Sequence, residues 1–342
     1  MPFFKIELEV GSRVGPGQAR SRWLAAAIGS MVLGAASAGA GPLEPPQPGV
    51  PANSAELAAR IEPLIQAHQG KVAVAVKHLG TGESFRHAAD EVMPTASLIK
   101  FPVMIEAYRQ ADAAQIDLDS RLILKDEDKV PGSGILTAHF SPGTSFPLRD
   151  AIRLMIVFSD NTATNLVLDV IGIGSTAATM ERMGYPQTKI HSKVYRRDTS
   201  VFPDRSKRYG LGSTTANEMV RLFEELHHGR LVSAEACAQM TDHLKACDDD
   251  EKFPRFLPPG TTVAFKTGSV SDARTAAGII DCPNGPVALC VLSCDNEDRR
   301  WVADNAGNLL CANIAKAVFD HFSDPTADRA GTGTEPAAAQ KK

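Results

Sequence analysis

Residues 95–101 read TASLIKF, which sets a small hydroxyl, Ser97, three positions ahead of an amine, Lys100, where an apolar run begins. On a helix, positions i and i+3 share a face, so the two groups come within reach of one another. That is the arrangement of a nucleophile beside its activating base. A pattern with two free positions carries little information alone: about one such pair is expected by composition in a chain of this length. Its meaning depends on its surroundings.

Upstream, SAELAARIEPLIQAHQ (54–69) has a serine cap, Glu56 close behind it and helical apolar spacing, which predicts a helix at the start of the domain. KVAVAVKHL (71–79) alternates as a strand, followed by the turn GTGE and a shorter partner, SFRHA (84–88). Three more strands are expected far downstream: TVAFKTGS (262–269), RTAAGIID (274–281) and VALCVLSCD (287–295), the last two joined by the turn CPNGP. WVADNAGNLLCANIAKAVFDHF (301–322) returns to helical spacing. The middle is dominated by helical patterns: PLRDAIRLMIVF (147–158), NTATNLVLDVI (161–171), GSTAATMERMG (174–184) and TTANEMVRLFEEL (214–226).

Strands at both ends with helices between predict an α+β fold, an antiparallel five-stranded sheet flanked by terminal helices and interrupted by an inserted all-α domain. The sheet domain is assigned to 58–94 and 255–322 and the inserted helical domain to 95–254. A functional site is expected at their junction.

Two further motifs fall at that junction. SDN is Ser159, Asp160 and Asn161, ending one helical pattern and opening the next. KTGS is Lys266, Thr267, Gly268 and Ser269, at the end of a strand. SDN alone reads equally well as a helix N-cap. Together the motifs run in order, 62 residues from Ser97 to Ser159 and 107 from Ser159 to Lys266. S-x-x-K, S-D-N and K-T-G mark class A β-lactamases and penicillin-binding proteins. From about Ala58 to Phe322 the chain resembles the class A serine β-lactamase family, which implies a β-lactamase/transpeptidase-like fold.

The chemistry explains the residue types. Ser97 as a neutral alcohol needs a base, and Lys100 serves only when neutral, against an ordinary lysine pKa near 10.4. Burial and a second cation, Lys266, both lower that value. The Lys266 charge also suits a substrate carboxylate, with the Thr267 and Ser269 hydroxyls adding hydrogen bonds. By the resemblance, Ser159 lies between the two lysines and hands a proton to the departing lactam nitrogen, while Asn161 holds the substrate's side-chain amide. Asp160 is expected to orient the loop. Gly268 lets the strand backbone approach the ligand, and the Ser97 and Ser269 amides would form the oxyanion hole. Arg274 is either a further carboxylate contact or a solvated arginine at a strand start.

The resemblance breaks at one place. Hydrolytic members of the family carry a glutamate, in a stretch like R-x-E-x-x-L-N, that activates the water releasing the acyl-enzyme. The corresponding stretch here is TKIHSKVYRRDTSVFPD (188–204), and no glutamate lies between Glu181 and Glu218. Val194 aligns near the missing residue. The carboxylates of the interval are Asp198 and Asp204, among seven lysines and arginines from Lys189 to Arg208. Asp198 is the candidate replacement base, or else an ion-pair partner of Arg196 or Arg197. Three readings follow: a class A-type β-lactamase acting through an acyl-enzyme on Ser97; a penicillin-binding or D,D-peptidase-like protein acting on cell-wall peptides; or a sensor acylated once and read by a partner.

The rest of the chain narrows the classes. Its 342 residues, 43% hydrophobic and 22% charged, suit a globular protein, and a formal net charge of −4 gives no nucleic-acid electrostatics. No glycine pattern supports a nucleotide cofactor, and neither the histidines nor the cysteines have metal-ligand spacing, so no cofactor or metal is implied. The basic stretch near RSRW followed by LAAAIGSMVLGAASAGA reads as a secretory signal, 1–40, ending near Ala40. An exported, periplasmic or secreted monomer with no membrane span after cleavage is expected. Residues 41–57 read as a proline-rich linker and 323–342 as a disordered tail. Six cysteines permit disulfides, Cys237 with Cys247 being the best local pair, while Cys290 and Cys294 lie too far apart along one strand to bridge.

Overall fold

The Ser54 side chain accepts the Leu57 amide, so the first helix, α1 (Ala55–Ala67), starts at its capping signal, three residues before the assigned linker boundary. The computed structural model describes residues 53–324. The signal, most of the linker and all but two residues of the tail lie outside the described residues.

Five strands form one antiparallel sheet. β1 (Lys71–His78) and β2 (Ser84–His87) make a hairpin, and the sheet is completed far downstream by β8 (Val263–Val270), β9 (Ala273–Cys282) and β10 (Gly285–Cys294). The order is β2-β1-β10-β9-β8, so the two chain ends meet where β1 pairs with β10, Ala73 opposite Leu292 and Ala75 opposite Cys290. Both faces are covered, which explains the near-continuous apolar runs. Val72, Val74 and Val76 of β1, with Leu289 and Val291 of β10, face the first and last helices, α1 and the terminal helix at Ala306–His321. Ala73, Ala75, Ala288 and Cys290 point the other way, into the helical half.

That half carries more than helices. In chain order it holds β3 (Met93–Pro94), α2 (Lys100–Asp112), β4 (Arg121–Ile123), α3 (Leu136–His139), β5 (Ser145–Pro147), α4 (Leu148–Val157), α5 (Asn161–Ile171), α6 (Ile173–Arg182), β6 (Lys189–Ile190), α7 (Pro203–Tyr209), β7 (Gly212–Thr214), α8 (Ala216–His227) and α9 (Ala234–Lys245). The expectation of an all-α insert is therefore corrected. β4 pairs with β5, and β7 lies between β3 and β6 and pairs with both. Strands of two or three residues leave too short an alternation to detect in sequence. Moreover α8, inside the supposed insert, packs on β1, β9 and β10, and one apolar cluster runs from the alanines of the sheet to Met155, Phe223 and Leu244. Small side chains on that sheet face let the helices settle directly onto it.

The terminal helix, α10, begins at Ala306 under an Asn305 cap, so the helical reading from Trp301 is shortened and 301–304 form a loop. All six cysteines are free. Cys237 is buried within α9 while Cys247 lies beyond that helix's end; ten helical residues span about 15 Å, far past disulfide reach. The expected Cys237–Cys247 pair is thus not formed.

Candidate active site

Ser97 sits in a single 3-10 turn, Ala96–Ile99, that runs straight into α2, whose first residue is Lys100. Helical continuity fixes the three-residue offset read from the sequence. Ala96 has φ 46°, a conformation an alanine adopts only under constraint. The constraint comes from both sides. The Thr95 amide donates to Gly212 O at 3.0 Å, and the Thr275 hydroxyl of β9 donates to Thr95 O at 2.8 Å. Gly268 brings β8 against the same turn: a Cβ there would lie 2.7 Å from the Ser97 amide nitrogen and would also strike Thr95 O. The glycine is needed for contact between the strand and the Ser97 turn, more directly than for contact with a ligand.

Lys100 is fully buried and donates to three groups of the SDN segment: Ser159 O at 2.6 Å, Ser159 Oγ at 3.2 Å and Asn161 Oδ1 at 2.9 Å. Burial, and then the Lys266 charge, hold its pKa well below the ordinary lysine value, against a smaller opposing pull from Asp160. Ser159 stands in the left-handed region, φ 52°, in the break between α4 and α5. Asp160 caps α5 by accepting Ala163 N at 2.8 Å, and its other oxygen accepts Ile135 N and Leu136 N at 2.7 and 2.8 Å. This is the loop-orienting role expected of it. Asn161 also donates to Pro131 O at 2.9 Å, so its amide braces Lys100 and the loop at once.

Lys266 is buried too, and its pKa is lowered by desolvation, with Cys247 and Asp249 opposing. Its amine donates to Thr267 O at 3.0 Å. Ser97, Ser159, Asn161, Lys266, Thr267, Gly268 and Ser269 all line one cavity of about 570 Å³, with Lys100 behind its wall. Among the described residues the Ser97 hydroxyl makes no hydrogen bond and faces that cavity. No cluster of metal-ligating side chains occurs among the described residues.

Asp198 is exposed and is not among the residues lining the cavity, and it forms no ion pair with Arg196 or Arg197. Val194 is buried on the cavity wall instead. Arg274 is neither solvated nor free: it is 2% exposed, lines the cavity and donates to the Val270, Ala273 and Arg300 carbonyls.

Other cavity residues escaped sequence reading. Lys252 is buried in an ion pair with Asp249, N to O 2.8 Å, and both line the cavity. Burial pushes the Asp249 carboxyl up, but Lys252, Thr267 and Lys266 together outweigh it and hold the carboxyl below its ordinary value. The run ACDDDEK (246–252) reads as a solvated turn, with no periodicity to mark a lysine that folds inward.

The span that builds this cavity can be compared with known proteins. A model described as the beta-lactamase enzyme family matches residues 56–322, which contain every cavity residue named above. The chain belongs to the β-lactamase enzyme family. A β-lactamase of Streptomyces cellulosae is 31% identical over 278 residues, covering 79% of this chain and 84% of that protein. Among solved structures of β-lactamase-family fold, the β-lactamase from Sphaerobacter thermophilus is 29% identical with a TM-score of 0.69, covering 78% of this chain and 97% of that one. PBP-A is 24% identical with a TM-score of 0.68, covering 80% and 99%, and shares the fold.

Proposed function

We propose that the protein is a class A-type serine β-lactamase that opens the β-lactam amide through an acyl-enzyme on Ser97. The single observation that carries this is the buried Lys100 amine, one helical turn from Ser97 and bonded to the SDN hydroxyl at 3.2 Å, where burial and the Lys266 charge favour its neutral form. Lys100 takes the Ser97 proton as Oγ attacks the lactam carbonyl. The carbon–nitrogen bond breaks, Ser159 delivers its proton to the leaving nitrogen, and Lys100 passes the proton it took from Ser97 on to Ser159. Lys266 and Thr267 hold the substrate carboxylate, Asn161 the side-chain amide, and the amides of Ser97 and Ser269 the developing oxyanion. Water then attacks the ester to release the opened product.

A second reading, a penicillin-binding or D,D-peptidase-like protein that holds its acyl group, is favoured by Val194. Val194, which aligns near the missing glutamate, puts an apolar side chain on the cavity wall, and Asp198 is not among the residues that line the cavity. The first 40 residues support export, and the monomeric state rests on the sequence alone.

Mixing mature protein with a chromogenic cephalosporin while recording intact mass from seconds to an hour separates the readings. Many turnovers with a transient adduct support the hydrolase; one stoichiometric burst with a lasting adduct supports the penicillin-binding protein. Ser97→Ala is expected to lose the adduct entirely, and retained labelling would remove Ser97 as nucleophile.

A further inference from the structure

Eight large hydrophobic side chains are exposed among the described residues, and five of them, Phe158, Tyr195, Val270, Trp301 and Val302, line the mouth of one cavity. Apolar surface gathered at a polar cavity is surface that a ligand covers. Trp301 is the most exposed of them at 69%.

Its ring is not loose. The Arg274 guanidinium lies 4.9 Å from the ring centroid and covers one face. Arg274 is itself fixed by the carbonyls of Val270, Ala273 and Arg300, two of these bonds being 3.0 Å long. Gly307 at the start of α10 leaves room for this arrangement, since a Cβ there would lie 2.7 Å from Arg274 Cγ. The indole is thus held on one side and open on the other, at the KTGS end of the cavity, because Arg274 pairs in register with Ser269 and bonds to the Val270 carbonyl.

Resting on the β-lactam reading of this cavity, we propose that Trp301, backed by Arg274, is a stacking platform for an aromatic substituent next to the substrate carboxylate. In a cephalosporin the carboxylate and the C3 substituent sit on adjacent ring carbons. A carboxylate held by Lys266 and Thr267 therefore directs the C3 group toward the Trp301 side. The substrate class so favoured is cephalosporins bearing an aryl or heteroaryl group at C3.

The test compares Ser97 acylation rates, read by quenched intact mass, for two cephalosporins of identical acyl side chain, one with a C3 aryl-vinyl group and one with a C3 methyl. Trp301→Ala is expected to slow acylation by the aryl compound about fivefold and to leave the methyl compound within about twofold. Trp301→Phe, which keeps a ring, should recover most of the loss. Equal effects on both compounds, or no effect on either, overturn the platform. Absence of any adduct in the wild-type protein overturns the β-lactam reading, and the platform with it.

Discussion

The Asn165 side chain and the Val194 backbone exchange two hydrogen bonds: Asn165 Nδ2 donates to Val194 O at 3.0 Å, and Val194 N donates to Asn165 Oδ1 at 2.8 Å. The clamp ties the basic loop to α5, four residues past Asn161, and so holds the buried Val194 side chain on the cavity wall, beside Ser192, Lys193, Tyr195 and Arg197 of the same loop.

Val194→Glu should therefore supply a carboxylate at a position whose backbone is already held. We expect the acyl-enzyme lifetime to shorten on the order of a hundredfold, the usual worth of a positioned general base. Single-turnover mass measurements check this, and an unchanged adduct lifetime would show that water does not reach the ester from this wall.

The lowered Lys100 pKa has a kinetic consequence of definite sign. On the proposed mechanism acylation requires the neutral amine, so its rate should rise with pH as Lys100 loses its proton, with a midpoint below the ordinary lysine range. Lys266→Ala removes the charge that is the second cause of the lowering. The rising limb should then move to higher pH, as a pH profile of acylation would record, on top of any loss in carboxylate binding.

Gly268→Ala places a methyl group against two backbone groups, the Ser97 amide and Thr95 O, neither of which can swing aside. Displacement of β8 or of the nucleophile's turn by a fraction of an ångström should lower acylation about a hundredfold. Penicillin labelling together with a thermal melt would distinguish this from simple unfolding.

Acid stability is governed partly by two histidines, His191 buried and His243 half-buried. Burial pushes His191 down to about 4, aided by Arg205 and Lys189 and opposed by the Gly210 carbonyl. Burial and Arg153 do the same to His243, also to about 4. In the unfolded chain both titrate near 6.5, so between pH 6.5 and 4 the unfolded state binds more protons and stability falls as pH falls. His191 bonds to Gly210 O and Ser213 Oγ, next to the cavity. Urea melts at pH 7 and 4.5 should differ by on the order of 2 kcal/mol from His191 alone, and His191→Gln should shrink that difference.

Much of the fold was legible because its signals are local and periodic. Both faces of β1 and β10 are apolar, the Ser54 cap marks α1, and the Asp160 cap marks α5; each is written in consecutive residues. The strands β3 to β7 were not legible, since two or three residues carry no period and their pairing depends on distant partners.

The sequence by itself determined which groups gather at the cavity, the Ser97 and Ser159 hydroxyls, the two lysines and the Asn161 amide, because SLIK, SDN and KTGS lie at the ends of helices and a strand. Only the tertiary structure decided the state and company of those groups. Burial and the Lys266 charge depress the Lys100 pKa; Lys252, Asp249 and Trp301 join the cavity from segments that carry no sign of it in sequence, and Arg274 is buried on its wall. It likewise decided that Asp198 stays outside and Val194 turns in. Burial and through-space charge depend on residues far apart along the chain, and neither leaves a local pattern to read.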